Sequence, residues 1–263
     1  MKNIVFMMDI DLEGKGDHDN RYHSKRRLPY QYSIASWKKW CKKNDCDLVI
    51  MDEPICPVSE MKITWQRYYV LDILENSGID YDQVLMVDAD TIIHPDTPNF
   101  FEMTDGKFTA VHNEGCYDWI CRSIENYHRH LFSDMEIPFG VNEYINTGFL
   151  IFNKSHKKFI NSFLDFYNKN SDKINQIQET FHVGTCQSVI QYLLKIENVD
   201  LNLLPYEYNM CDLPRKEILD EQLTMTKVGW IYHYNAIPNN HDASLTMYWM
   251  KKTYEHLYGE LVE

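Results

Sequence analysis

The sequence predicts an α/β fold with a mostly parallel central sheet flanked by helices. Short apolar runs at 3–8, 47–52 and 83–88 have the length and continuity of strands that are buried on both faces. Segments with helical spacing lie between them, at 29–44 and 63–78. This alternation of strand and helix is typical of parallel strands, because parallel neighbours must be joined by a crossover connection.

The two helices that separate these strands each have one apolar side. In the first, Ile34, Trp37 and Cys41 share a side. In the second, Trp65 and Tyr69 lie one turn apart. Such a stripe is what a helix buries when it packs against a sheet.

The second part of the chain predicts further strands and helices. We expect strands at 109–113, 144–153 and 230–235, and helices at about 118–132, 155–170, 184–195 and 244–258. Ser155 is the expected N-cap of its helix, because a serine hydroxyl accepts from first-turn N–H groups. No repeat or linker interrupts the chain, so we predict a single domain over 1–263, with any subdivision near residue 110.

Composition excludes several classes of partner. The net charge of −13 makes nucleic acid an unfavourable partner, because an acidic surface repels a phosphate backbone. No apolar stretch reaches the ~18 residues that a transmembrane segment needs. The chain has 7 Cys, an odd number without a CxxC pair, which favours reduced thiols and a cytoplasmic location. The oligomeric state is not predicted.

Two aspartates follow the third strand, in the stretch VLMVDADTII. Asp88 and Asp90 stand where ligands bind in parallel α/β sheets, beyond the carboxyl end of a strand. Two such carboxylates repel each other unless a cation lies between them. Mg²⁺ and Mn²⁺ prefer oxygen ligands and share them with substrate phosphates. The pair therefore predicts a divalent metal site, with a solvated turn capped by Asp90 as the alternative.

A phosphatase of the haloacid dehalogenase kind also places two aspartates after a strand. There the pair follows the first strand, and a threonine stands two positions beyond the second aspartate. Here the pair follows the third strand and Ile92 occupies that position, so this interpretation is disfavoured.

Several further stretches occur in a characteristic order. They are NIVFMMDID, YDQVLMVDADTIIHPD, YINTGFLIFN, GTCQSVIQYLL, LPYEYN and WIYHYNA. Together they resemble glycosyltransferases of the GT-A fold. The resemblance is greatest to the glycogenin and bacterial galactosyltransferase-like group, with an overlap towards the galactosyl/mannosyltransferases of yeast and plants. It spans nearly the whole chain.

The resemblance implies a single Rossmann-like GT-A domain, with a nucleotide-binding half at about 1–110 and an acceptor half at about 111–263. It also implies a metal site in which His233 joins Asp88 and Asp90. A nitrogen ligand among oxygen ligands shifts the preference from Mg²⁺ towards Mn²⁺. Mn²⁺ is therefore the expected cofactor, and Mg²⁺ is the alternative.

The resemblance also implies a binding site for a nucleotide-sugar donor. Asp9, with Met8 beside it, would contact the base, and Ala89 would lie against the donor between the two aspartates. Lys62 or Arg67, on the helix before the metal-binding strand, would reach the donor. The sequence does not choose between these two cations.

Around the sugar, Asn146 and Gln187 are the predicted catalytic residues, and Gly148 would let the backbone approach the donor. The chain departs from the group's pattern at Cys186, where an aspartate usually precedes the glutamine. It also lacks the lysine that commonly follows the late histidine. His241, or Arg26 or Arg27 from the loop at 9–29, would contact the diphosphate instead.

The expected activity is transfer of a hexose from a nucleotide-diphosphate sugar, a UDP-hexose being favoured, to a glycan or other hydroxyl acceptor, with retention. Inversion would need a carboxylate base near the acceptor. Glu114, Asp118 and Glu143 are the candidates for that base, and Trp119 and Tyr117 for an acceptor platform. The alternatives are a catalytically weak nucleotide-sugar-binding protein of the same fold and a metal-dependent nucleotidyltransferase.

Overall fold

A computed structural model describes residues 1–10, 27–240 and 243–261 of the chain. The strands are β1 (Lys2–Met8), β2 (Asp47–Met51), β3 (Tyr81–Val87), β4 (Thr91–Ile93), β5 (Phe108–His112), β6 (Ile145–Asn153), β7 (Leu201–Leu204) and β8 (Ile231–His233). The helices are α1 (Arg27–Lys43), α2 (Ile63–Gln66), α3 (Val70–Asn76), α4 (Tyr117–Leu131), α5 (Lys157–Phe181), α6 (Cys186–Ile196) and α7 (Ser244–Tyr258).

Six strands form one sheet in the order β2-β1-β3-β6-β5-β7. The pairs β1–β2, β1–β3 and β5–β7 are parallel, and β6 runs antiparallel to β3 and β5. The predicted mostly parallel sheet is therefore confirmed. Strands from both sides of residue 110 belong to it. A second sheet consists of β4 and β8, which pair antiparallel.

The apolar strands are buried because both faces of the sheet are covered. Along β1, Ile4 and Phe6 belong to one core cluster, and Val5 and Met7 belong to the other. The first core contains residues of the segment 61–74 and of α4, α5 and α6, whereas the second contains Trp37 and Trp40 of α1. Alternation across a strand thus explains why these runs are apolar without a break.

Two local predictions were wrong. Asn153, rather than Ser155, caps the turn that leads into α5, since its side chain accepts from the backbone N–H of Ser155. The predicted helix at 63–78 is divided by a 3₁₀ turn, Arg67–Tyr69, which joins α2 to α3. Among the described residues, no helix has the length and apolarity needed to cross a membrane.

Candidate active site

A cleft of about 900 Å³ opens where β1 and β3 reach their carboxyl ends. Met8 from the end of β1 and Val87 from the end of β3 line it. Further lining residues come from the segment 182–187, which leads into α6, and from the residues that follow β8. The cleft therefore lies at the edge of the sheet where the two aspartates were predicted to meet a ligand.

Backbone pairing brings His233 to the two aspartates although it is remote in sequence. The backbone N–H of Asp88 donates to the carbonyl of Gly148 at 3.0 Å, which holds the end of β3 against β6. Beyond Asp90, Thr91 of β4 pairs with His233 of β8. The N–H of Tyr234 then donates to the carbonyl of Asp90 at 2.9 Å. The second sheet thus fixes the histidine beside the end of β3.

The three side chains form a compact triangle. Nε2 of His233 lies 3.2 Å from Oδ1 of Asp90 and 3.6 Å from Oδ2 of Asp88. Ligand atoms of all three lie within 4.8 Å of one another. Ligands bound octahedrally at about 2.1 Å stand about 3 Å apart, so this spacing suits one divalent cation. Two carboxylates and an imidazole are a ligand set that a divalent cation can take.

Burial and charge act in opposite directions on His233. Burial lowers the pKa of its imidazole, but the carboxylates of Asp90 and Asp88 outweigh burial, so the pKa is raised above 6.5. The imidazole side chain is 4% exposed, whereas those of Asp88 and Asp90 are 33% and 27% exposed. A cation that entered from the cleft and bound the two carboxylates would neutralise their charge. The carboxylates would then no longer raise the pKa of the imidazole.

The absence of a side chain at Gly148 leaves room for the side chains of His233 and Asp88. A Cβ at this position would lie 2.6 Å from Cε1 of His233 and 2.7 Å from Oδ2 of Asp88. These are contacts that real Cβ atoms essentially never make. Any residue larger than glycine would displace the histidine or the aspartate. The predicted approach of the Gly148 backbone to the donor sugar stays a prediction.

The two candidate cations both line the cleft but have different partners. The Arg67 guanidinium is buried and donates through Nη1 to Oδ1 of Asp88. Lys62 also lines the cleft, but its Nζ donates to Oε1 of Gln178 at 2.7 Å and lies 3.8 Å from Oε1 of Glu179. Arg67 is therefore the cation at the metal triangle, and Lys62 stands on the wall that contains α5.

The side-chain carbonyl oxygens of the two predicted catalytic residues, Asn146 and Gln187, accept hydrogen bonds from the protein backbone. Oδ1 of Asn146 accepts from the backbone N–H of Gly148 at 2.7 Å. Oε1 of Gln187 accepts from the backbone N–H of Thr147 at 3.1 Å, and its Nε2 is buried without a hydrogen-bond partner. Both residues line the cleft. Each amide is thus held in place through its carbonyl oxygen.

The structure describes some of the other predicted donor contacts and not others. Met8 and Ala89 line the cleft. Asp9 is not among the described residues that line the cleft. The backbone N–H of Asp9 donates to the carbonyl of Met51. His241 and Arg26 fall outside the described residues, and so does the Arg27 side chain. The predicted diphosphate contacts of these three residues stay predictions.

A carboxylate that sequence reasoning missed also lines the cleft. Asp212 is 7% exposed, and its Oδ1 accepts from Nε of Arg215 at 3.1 Å. Its backbone N–H donates to Oδ1 of Asn235 at 2.8 Å, which fixes a left-handed conformation at φ 54°. The sequence carries no periodic or motif signal for it, since it is one of 39 acidic residues and lies in an irregular segment.

The bases considered for an inverting reaction lie elsewhere. Glu114, Asp118 and Glu143 are not among the described residues that line the cleft. The ammonium group of Lys195 lowers the pKa of Glu143, and Asp118 accepts from Nε of Arg122 at 2.9 Å. Of the two proposed platform residues, Trp119 lines the cleft, whereas Tyr117 does not and is 68% exposed.

Comparison with solved structures identifies the fold. The chain is similar to a glycosyltransferase involved in the glycosylation of the major capsid of PBCV-1, with a TM-score of 0.57 and 11% identity over 94% of this chain and 100% of that one. It is also similar to the galactosyltransferase LgtC, solved in complex with donor and acceptor sugar analogs, with a TM-score of 0.51 and 13% identity over 99% of this chain and 98% of that one.

No protein-family model and no curated protein sequence matches the chain. The similarity is therefore one of fold, and at these identities it does not carry residue roles with it. The chain has the GT-A fold of these glycosyltransferases, as the ordered stretches of sequence predict.

Proposed function

We propose that this protein is a metal-dependent glycosyltransferase that moves a hexose from a nucleotide-diphosphate sugar to a hydroxyl acceptor. The observation that carries the proposal is the triangle of Asp88, Asp90 and His233 at the carboxyl edge of the parallel strands. It lies in a cleft of a size suited to a nucleotide sugar. The glycosyltransferases of similar fold support the reaction class.

The charges of the site favour an anionic diphosphate once a divalent cation is bound. Two carboxylates and the Arg67 guanidinium sum to −1 when His233 is neutral, and a divalent cation brings this sum to +1. Lys62, Arg122 and Arg215 add positive charge to the lining, although the whole chain carries −13. The cleft is thus much less acidic than the chain as a whole, and it suits a donor that carries two phosphates.

Asp88, Asp90 and His233 would hold Mn²⁺, with Mg²⁺ as the alternative. When bound, the ion would stabilise the negative charge that grows on the departing nucleoside diphosphate. Arg67 would hold the Asp88 carboxylate in place beside the ion through their ion pair. Asn146 and Gln187 line the cleft and would contact the donor sugar, and their carbonyl oxygens are anchored to the backbone of β6.

UDP-hexose is the proposed donor, and a glycan or other hydroxyl compound is the proposed acceptor. We propose retention at the anomeric carbon, since the three carboxylates considered as bases for inversion do not line the cleft. Asp212 is a further carboxylate of the lining, and it is paired with Arg215.

We propose a single domain of two halves, and the seven free thiols fit a reducing, cytosol-like compartment.

Calorimetry tests the donor and the metal together. We expect UDP to bind in the presence of Mn²⁺, binding to weaken strongly when EDTA replaces the metal, and GDP to bind less tightly than UDP. The absence of UDP and GDP binding with either Mn²⁺ or Mg²⁺ would contradict the proposal.

Product analysis then separates an enzyme from a binding protein. Incubation with Mn²⁺ and a panel of UDP-hexoses should release UDP slowly without an acceptor and faster with a suitable glycan. Nuclear magnetic resonance of the product would give the anomeric configuration. Binding of UDP-sugar without any release of UDP would favour the catalytically weak binding protein. Release of pyrophosphate in a separate incubation with UTP and a hexose 1-phosphate would favour a nucleotidyltransferase.

A further inference from the structure

His233 has hydrogen-bonding neighbours at both of its ring nitrogens. Nε2 faces Asp90 and Asp88, as described above. Nδ1 lies 3.1 Å from Oδ1 of Asn209, a side chain that is wholly buried. Because His233 is itself 3% exposed, its protonation pattern depends on these neighbours more than on solvent.

The orientation of the Asn209 amide follows from a backbone group. The N–H of Gly148 is a donor, so the atom of Asn146 that it contacts at 2.7 Å must be the carbonyl oxygen. The atom of Asn209 that lies 3.0 Å from this same oxygen must then be the amide nitrogen. It follows that Asn209 presents its carbonyl oxygen to His233, and that Nδ1 of His233 carries a proton.

This proton determines what the other nitrogen can do. A neutral imidazole protonated at Nδ1 has its lone pair at Nε2, which is the atom directed at the carboxylates. The opposite tautomer would leave Nδ1 and the Asn209 oxygen as two facing acceptors inside the protein, which is unfavourable. The hydrogen bond from Nδ1 also limits rotation of the ring.

Backbone pairing holds Asn209 in this position. Met210, the next residue, forms an isolated parallel bridge with Tyr232 of β8. Its N–H donates to the carbonyl of Ile231 at 2.8 Å, and its carbonyl accepts from the N–H of His233 at 3.1 Å. Asn209 is therefore fixed to the strand that carries His233, and it does not depend on a flexible loop for its placement.

We propose that Asn209 is a positioning residue for the metal site: its carbonyl oxygen holds the proton on Nδ1 of His233 and thereby presents the Nε2 lone pair to the cation. The inference rests on the metal dependence of the proposed function. Loss of a hydrogen-bond partner that orients a metal-bound histidine typically weakens metal binding about 10–100-fold. We expect an effect of about this size for the loss of Asn209.

The test combines metal affinity with a measurement on the ring itself. Asn209→Leu removes the acceptor and should weaken Mn²⁺ binding about 10–100-fold, measured by electron paramagnetic resonance. Asn209→Asp keeps an oxygen facing Nδ1 and should bind Mn²⁺ more tightly than Asn209→Leu. Asn175→Leu, on α5 and away from the described lining of the cleft, is the matched control. A folded Asn209→Leu protein with wild-type Mn²⁺ affinity would overturn the proposal.

The second measurement is made on the wild-type protein, so it does not depend on whether a variant at position 209 folds. Nitrogen-15 resonances of the histidine rings in the metal-free wild-type protein, recorded at a pH above the raised pKa of His233 so that its ring is neutral, should show the proton on Nδ1 of His233. The signal is assigned by its loss in His233→Gln. A bare Nδ1 with the proton on Nε2 would overturn the role of Asn209 even if Mn²⁺ binds. Wild-type protein that binds no Mn²⁺ would instead overturn the metal site of the proposed function.

Discussion

The guanidinium of Arg67 contacts the carboxylate of Asp88 at the base of the cleft. The Arg67 side chain is 6% exposed and that of Asp88 is 33% exposed, so the pair is shielded mainly on the arginine side. Arg67 stands in the 3₁₀ turn between α2 and α3. Nη2 of Arg67 also lies 3.6 Å from Sγ of Cys186. A single cation thus connects the metal triangle to the start of α6.

Replacing Arg67 by methionine should destabilise the fold and weaken the donor site. The buried face of Asp88 would lose its counter-charge, for which we expect about 2–3 kcal/mol, less than for a fully buried pair because Asp88 is partly solvated. Urea unfolding gives the free-energy change. Arg129→Met removes an exposed ion pair on α4 and should cost less than about 1 kcal/mol. Equal losses in the two variants would contradict this role for Arg67.

Gly148→Ala should disrupt the metal triangle while the sheet persists. The added Cβ meets His233 and Asp88 at distances that require one of them to move. We expect Mn²⁺ binding to fall by at least about tenfold and stability to fall by about 1–3 kcal/mol, the usual cost of overpacking. Electron paramagnetic resonance and thermal unfolding measure the two effects.

Gly140→Ala is the matched control for this substitution. Its new Cβ would meet the amide oxygen of Asn142, the end of an exposed side chain that can turn away. This control should bind Mn²⁺ like the wild type. Normal Mn²⁺ binding by Gly148→Ala would show that the close approach of β6 is not needed for the site.

Five of the six strands of the main sheet and two of the three proposed metal ligands follow from the sequence by simple rules, whereas β7 was not predicted. A strand with alternate residues in two cores must be apolar throughout, and ligands collect at the carboxyl ends of parallel strands. His233 was predicted only through the resemblance to a known family, because the sequence around a histidine in a short strand does not indicate which residues it contacts. The β4–β8 pair that delivers it joins segments far apart in the chain.

Residues whose role depends on a tertiary contact were missed. Asp212 and Asn209 lie in irregular segments, where no periodicity indicates which side is buried. The turn at Arg67 was also missed, since the apolar spacing on either side of it is compatible with one continuous helix. The capping error at Ser155 has a local cause: Asn153 and Ser155 are both good caps, and only the backbone path chooses between them.

Acid should destabilise the protein in part through His156. Burial lowers the pKa of His156 below 6.5, and its Nδ1 accepts from the N–H of Asn153 in the capping box before α5. Between the lowered folded pKa and 6.5 the unfolded chain binds more protons, so this contribution to stability is complete above 6.5 and is lost as the pH falls through the folded pKa.

His156→Gln tests this prediction, because glutamine can keep the capping hydrogen bond and does not titrate. From pH 7.5 to pH 5 the wild type should lose more unfolding free energy than His156→Gln, as measured by urea unfolding at each pH. Identical pH profiles for the two proteins would exclude His156 as a source of acid sensitivity.

Loss of one metal ligand should abolish metal-dependent turnover. Asp90→Asn keeps the shape of the side chain and removes one negative charge from the triangle. If the ion contributes several kcal/mol to stabilising the departing diphosphate, the rate of donor hydrolysis should fall on the order of 10³-fold, since ~1.4 kcal/mol corresponds to tenfold. Asp82→Asn, at the exposed start of β3, should retain wild-type rates and the same loss of activity in EDTA. Full turnover by Asp90→Asn, or by wild-type protein after complete chelation, would mean that the charge on the leaving group is stabilised without an ion at this triangle.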